Sequence, residues 1–385
     1  MSVRPLAALA ALLLLTAACG EDDDGPGGGA GTTVTTGGSG GTGTGSGTGG
    51  NGGGTATGTG TAGGTGGSGT GTATGSGTGG GTSAGFACQY PGDVGIQSHG
   101  TVVWYEGFEE GSVSAVIARY DAHSSESEMA LVSDTPSGSP GAVSMRMTAG
   151  DTAADTDLYK NFGTGWDDLY VRYYTKYEAN VNYHHTGVWV GGYYPAQTWP
   201  SPYAGTRPNG NDRFSVAVEI MTDGTNPSPR LDFYNYWMGM QTNPGGGFWG
   251  NVLINDANLV ATFDWQCIEV HIRMNTSTSS NAGAELGIWR DGESIVQYDD
   301  QGPTGRWLHD KFCRTDPNEP ATATSCTDYT LSPPDVVLDL QWRTTNDLKN
   351  NYFWPQNYIT SGPAGDVWYD DMVLATERIG CICPN

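Results

Sequence analysis

Between residues 267 and 274, Ile268, Val270, Ile272 and Met274 alternate with Glu269, His271 and Arg273. A two-residue period sends alternate side chains to opposite faces, which a β-strand does and a helix does not. The pattern returns in residues 214–221, where Phe214, Val216, Val218 and Ile220 alternate with Ser215, Ala217 and Glu219. It returns again in residues 336–343, with Leu338, Leu340 and Trp342 against Asp339, Gln341 and Arg343. Residues 169–177 and 231–237 are rich in the aromatic and β-branched side chains that strands favour. Asp291-Gly292, between residues 287–290 and 294–298, predicts a tight hairpin. Short strands parted by Gly, Pro and Asn turns predict an all-β fold, a two-sheet sandwich.

The strands begin only after residue 85. Residues 25–85 are almost entirely Gly, Thr, Ser and Ala, and such a chain has too little apolar surface to offset the entropy of ordering it. A coil of that kind, about 60 residues long, spans roughly 45 Å. Ahead of it stand Arg4, an apolar run over residues 6–15, then Thr16, Ala17 and Ala18 before Cys19. The run is too short to cross a bilayer and reads as an export signal. Small residues before a cysteine resemble the lipobox of bacterial lipoproteins, which implies that Cys19 becomes a lipidated first residue. The alternative is cleavage near Ala18 and release as a soluble protein. The expected organisation is a signal over 1–18, a tether over 19–85 and one domain over 86–385, exported and held at the outer membrane or cell surface by the lipid alone.

The chain carries 17 basic and 41 acidic residues, a formal charge of −24. That excludes nucleic acid and anionic membrane surfaces as expected partners, and a monomer is expected. Besides Cys19 there are Cys88, Cys267, Cys313, Cys326, Cys381 and Cys383. An even set in an exported chain reads as disulfides. Cys313 with Cys326 would close a short loop, leaving Cys88 and Cys267 for the two C-terminal cysteines. The Cys381-Ile382-Cys383 spacing is too tight for a zinc knuckle.

Several segments resemble the concanavalin-like, jelly-roll polysaccharide lyases of families 14 and 20, which include alginate and glucuronan lyases. They are residues 166–177 (WDDLYVRYYTKY), 184–192 (HHTGVWVGG), Phe214-Ser215 on to Asp223-Gly224 with Tyr234-Asn235-Tyr236, and 368–380 (WYDDMVLATERIG). The resemblance runs over most of residues 104–380. It implies a jelly roll and cleavage of uronate chains by β-elimination. A cation or amide there neutralises the sugar carboxylate, a base takes the C5 proton, and an acid protonates the leaving oxygen. The family's lysine position falls on His184 and its arginine position on Ala217, while Ser215, Tyr234 and Tyr236 agree. The resemblance therefore implies His184 as base and Tyr234 or Tyr236 as acid, with Ser215 beside them. Arg172, Arg213 or Arg273 would have to supply the cation.

Further expected sugar contacts are Trp189, Glu219 and Arg343, with Tyr194 and Trp199 in the long loop of residues 193–213. His184 and His185 are neighbours, so a strand would aim only one of them at a cleft. No cofactor is required by this chemistry. Glu106, Glu109 and Asp371 offer hard oxygen ligands for a structural Ca²⁺ where the first and last strands meet. Three other readings stay open: a carbohydrate-binding module that has lost its catalytic residues, a glycoside hydrolase using Glu219 and Glu269, and a structural surface protein.

Overall fold

In chain order the strands are β1 (Val102–Glu106), β2 (Ala122–Ser124), β3 (Met129–Val132), β4 (Ser144–Ala149), β5 (Thr156–Trp166), β6 (Asp168–Tyr177), β7 (Gly187–Tyr193), β8 (Arg213–Met221), β9 (Arg230–Tyr236), β10 (Asn251–Val252), β11 (Gln266–Arg273), β12 (Glu285–Arg290), β13 (Glu293–Tyr298), β14 (Thr304–Leu308), β15 (Lys311–Arg314), β16 (Val336–Val337), β17 (Asn350–Asn357) and β18 (Gly365–Ala375). The computed structural model describes residues 85–199, 203–221, 229–318, 320–326, 334–360 and 362–384. The expected export signal, Cys19 and the tether lie outside the described residues.

Two sheets form a β-sandwich of the jelly-roll kind. The first runs β13-β12-β11-β6-β18-β4-β3, with β1 also on β18; the second runs β16-β14-β15-β10-β9-β8-β7-β17-β5-β2. Between them, Leu169, Val171 and Tyr173 of β6 and Ile268, Val270 and Ile272 of β11 join one core with Val188 and Val190 of β7, Phe214, Val216, Val218 and Ile220 of β8, and Leu231 and Phe233 of β9. Each such side chain contributes about 1.5–3 kcal/mol on burial. The Asp291-Gly292 hairpin forms between β12 and β13, with both residues at positive φ (53° and 83°), as the tightest hairpin turn requires.

Two expectations change. Residues 336–343 do not make a strand beyond β16. Leu338, Leu340 and Trp342 are buried, but the backbone hydrogens of Trp342 and Arg343 go to Asn275 Oδ1 (2.9 and 3.0 Å) rather than to a neighbouring strand. The two-residue period there marks an extended segment lying against the sandwich.

The polar face of the first sheet is also covered in part, although Arg146 and Arg273 stay partly exposed. Phe86, Ala87, Ile96 and Ile379 pack over it on Val373 and Ala375. Cys88–Cys383 and Cys267–Cys381 fasten this cover, one of them directly to β11, and Cys313–Cys326 closes its own loop. Beneath the cover, Glu269 accepts from the backbone N–H of Ile379 (2.6 Å) and Gly380 (3.0 Å). Arg172 and Asp93 form an ion pair there, both fully buried. The chain ends thus occupy this part of the first sheet's outer face.

Candidate functional site

Strand register builds the site in three rows across β17, β7, β8 and β9. One row is Gln356, Gly187, Glu219 and Asp232; the next is Trp354, Trp189, Ala217 and Tyr234; the third is Tyr352, Gly191, Ser215 and Tyr236. Residues paired across strands share a face, and this is the face turned away from Val188, Val216 and Phe233. On the far side β5 adds Asp157 beside Gln356.

The middle row is aromatic. Trp189 stacks on Trp354 with ring centroids 5.4 Å apart and meets Tyr234 edge-on at 6.0 Å. Trp199, from the loop after β7, lies 6.5 Å from Trp354 and 6.4 Å from Tyr159 and stays 38% exposed. Ala217, with its single methyl, is buried between the Trp189 and Tyr234 positions in the row. Trp189 Nε1 donates to Gln356 Oε1 (3.1 Å), whose amide donates to Asp157 Oδ1 (2.9 Å); Trp354 Nε1 also donates to Asp157 (2.8 Å). That chain locks the two indoles in place, and Asp157 is consumed in holding them.

Beside the aromatic row sits a proton-transfer set. His185 Nδ1 is 3.1 Å from Glu219 Oε2, and its ring lies 4.9 Å from Tyr234. Glu219 is fully buried, and its other oxygen has no hydrogen-bond partner. Burial pushes its carboxyl above the ordinary Glu value, with His185 pulling the other way. Tyr234 and Tyr236 meet edge-on at 5.7 Å. Burial pushes Tyr236 up to about 12 and Tyr234 well above the usual tyrosine value, so both keep their protons at neutral pH. Gly250 permits this: a Cβ there would fall 2.3 Å from Tyr234 Cε1. Asp232, in contrast, accepts from the backbone of Phe233, Ile254 and Asn255 at 2.8 Å each, and serves to hold the chain.

The structure brings together Ser215, Glu219, Tyr234, Tyr236, Trp189 and Trp199 from the residues expected in sequence. It corrects others. His184 is exposed, its ring tilted against that of His185 with centroids 4.0 Å apart, and His185 is the histidine on Glu219. Arg172 lies under the cover of the first sheet. Arg273 also belongs to the first sheet, paired with Asp168 (2.8 Å) and Glu285. Arg343 donates to the backbone of Asn275 (3.1 Å) and Leu348 (3.1 Å) and pairs with Asp167. Arg213 shares the site's face but one step beyond Ser215, bound to Asp212 (2.7 Å) and over Tyr203 (4.8 Å). Tyr194 is half exposed in the loop after β7.

Glu219 and Glu269 stand on different sheets, which removes the carboxyl pair a hydrolase would need. Glu106 is taken by Arg119 (2.7 Å) and the Phe108 N–H, and Glu109 by the N–H of Ala142 and Val143. Among the described residues no group of three His, Cys, Asp or Glu is placed to hold a metal ion.

Sequence reasoning missed Trp354, Gln356, Tyr159 and Asp157. Tyr352, Trp354 and Gln356 do alternate, but Pro355 sits among them, and a proline argues against a central strand.

No family model and no curated protein matches the chain. Among solved structures it is similar to the marine PL-14 alginate lyase from Aplysia kurodai, with 13% identity, 71% of this chain and 98% of that one covered, and a TM-score of 0.43. It is similar to an alginate lyase from Chlorella virus (10% identity, 71% and 99% covered, TM-score 0.42). A third is the endo-β-1,4-glucuronan lyase from the fungus Trichoderma reesei (12% identity, 71% and 95% covered, TM-score 0.38).

Proposed function

We propose that the outer face of the second sheet binds a polysaccharide and cleaves it by β-elimination. The observation that carries this is the His185–Glu219 pair beside Tyr234, set at the edge of an aromatic row. Flat rings suit the C–H faces of sugars; Trp199 offers an exposed one, and the buried Trp189 and Trp354 form the floor behind it. With Nδ1 donating to Glu219, Nε2 of His185 holds the lone pair that takes the C5 proton. The C–H electron pair becomes the C4–C5 double bond, the C4–O bond breaks, and the leaving oxygen takes a proton from Tyr234. Tyr236 stands next to Tyr234 to steady it.

The test is ultraviolet absorbance of the conjugated, unsaturated product while the protein meets a panel of polyuronates. A rise that is lost in His185→Ala, with the variant still folded, supports the reading. Sugar affinity with no product from any polymer would replace it with the binding-module reading.

We infer further that the domain works outside the cytoplasm. Three disulfides suit an oxidising compartment, and the residues around Cys19 suit lipidation. Mass spectrometry of the mature N-terminus, compared with Cys19→Ser, tests the anchor: an unmodified N-terminus in the native protein would remove it.

A further inference from the structure

The rows of the site lack the cation that elimination from a free uronate calls for. From the Glu219 row to the Ser215 row, the described residues of β17, β7, β8 and β9 on this face include no Lys and no Arg. Two arginines flank them. Arg213 stands two residues beyond Ser215 on β8, with its charge reaching Tyr236, and Arg230 two residues beyond Asp232 on β9, each about 7 Å outside the rows. Both are already held, Arg213 by Asp212 and Thr206, Arg230 by Asp232 at 3.6 Å. Arg207, in the loop before β8, stacks over Phe248 at 5.3 Å. Segments 200–202 and 222–228 contain no Lys or Arg in sequence. What the face does carry is Glu219, Asp232 and Asp157 among Trp189, Trp354 and Tyr234.

Elimination needs an acidic C5 proton. A free carboxylate next to C5 opposes proton loss, because the carbanion would carry a second negative charge, and a cation ordinarily offsets this. An ester does so without one: it is uncharged, it delocalises the carbanion, and its alkyl group suits an aromatic wall. Resting on the elimination reading above, we propose that the substrate is an esterified uronate polymer, its carboxyls uncharged at the cleavage point. The bonds made and broken are those given above, with the ester group unchanged in the product.

The experiment uses the full chain and matched polymers: methyl-esterified polygalacturonate, alginate and glucuronan, each beside its own saponified form. Unsaturated product is followed at low and moderate salt. The expected result is kcat/KM at least tenfold higher on one esterified polymer than on its free acid. KM for the ester should be insensitive to salt, while any residual KM for the free acid should fall as salt screens the repulsion. Equal or faster cleavage of the free acid overturns the ester proposal and leaves the elimination reading standing. Absence of product from all six polymers, with the protein folded, overturns both.

Discussion

Replacing Glu219 by Gln separates the chemistry of the site from its stability. Glu219 is fully buried, makes one hydrogen bond, to His185 at 3.1 Å, and leaves its second oxygen unpartnered. Gln fills the same space and can still accept from Nδ1, but it cannot pair with the positive charge that His185 gains on taking a proton. Hydrogen bonds to charged groups contribute about 1.5–3 kcal/mol and neutral ones about 0.5–1.5. The difference, about 1–2 kcal/mol, corresponds to a fall in kcat of about 5–30-fold, with KM unchanged. Glu219→Ala also frees the ring to turn, and its loss should approach that of His185→Ala, about 10²–10⁴-fold for a general base.

Stability moves the other way. Burial raises the carboxyl of Glu219 above its ordinary value of 4.5, so its contribution is full below that pH and is lost as pH rises through the folded value. Glu219→Gln should therefore melt at or above the native temperature at neutral pH, and the gap should close as pH falls toward 4.5. Steady-state kinetics and calorimetry on the same preparations read both effects. Native kcat in the Gln variant, or a fall in kcat that merely follows a loss of stability, would refute the role given to the pair.

Tyr234→Phe should lower kcat about 10²-fold or more with little change in KM, and a rise in KM alone would make Tyr234 a binding residue. Trp199→Ala removes a partly exposed ring, so the fold should hold while substrate KM rises several-fold, on the order of 1 kcal/mol; unchanged KM would take Trp199 out of the site. Asp93→Ala should cost about 3–5 kcal/mol in denaturant unfolding, since it removes the carboxylate that hydrogen-bonds the buried Arg172 and leaves only the more weakly coupled Asp371 beside it. Asp93→Leu with Arg172→Met should recover most of that loss; an Asp93→Ala cost below about 1 kcal/mol would mean that Asp371 takes over the pairing with Arg172.

The sandwich was legible because apolar alternation reports a core directly: Ile268, Val270 and Ile272, and Val216, Val218 and Ile220, all point where their period sends them. The polar half of the same strands was not legible, because a polar side chain says only that it avoids the core. Glu269 and Arg172 read like Glu219 and Tyr234, yet the chain ends bind the first two, through Asp93, Ile379 and Gly380, while Glu219 meets His185 and Tyr234 stays partly exposed. That difference is made more than a hundred residues away in sequence, by Cys267–Cys381 and Cys88–Cys383, and no local pattern carries it. The histidines show the same limit on a smaller scale. A strand would part His184 and His185, but both lie in the bend before β7, and their rings sit together, 4.0 Å apart. Glu219 lies opposite Gly187, close to the bend, and it is the bend, which no periodic pattern describes, that brings His185 to the carboxyl. The cation needed for a free uronate was missing already in the sequence, at Ala217; the structure adds that the other arginines are committed elsewhere. The uncharged-substrate proposal follows from those commitments rather than from Ala217 alone.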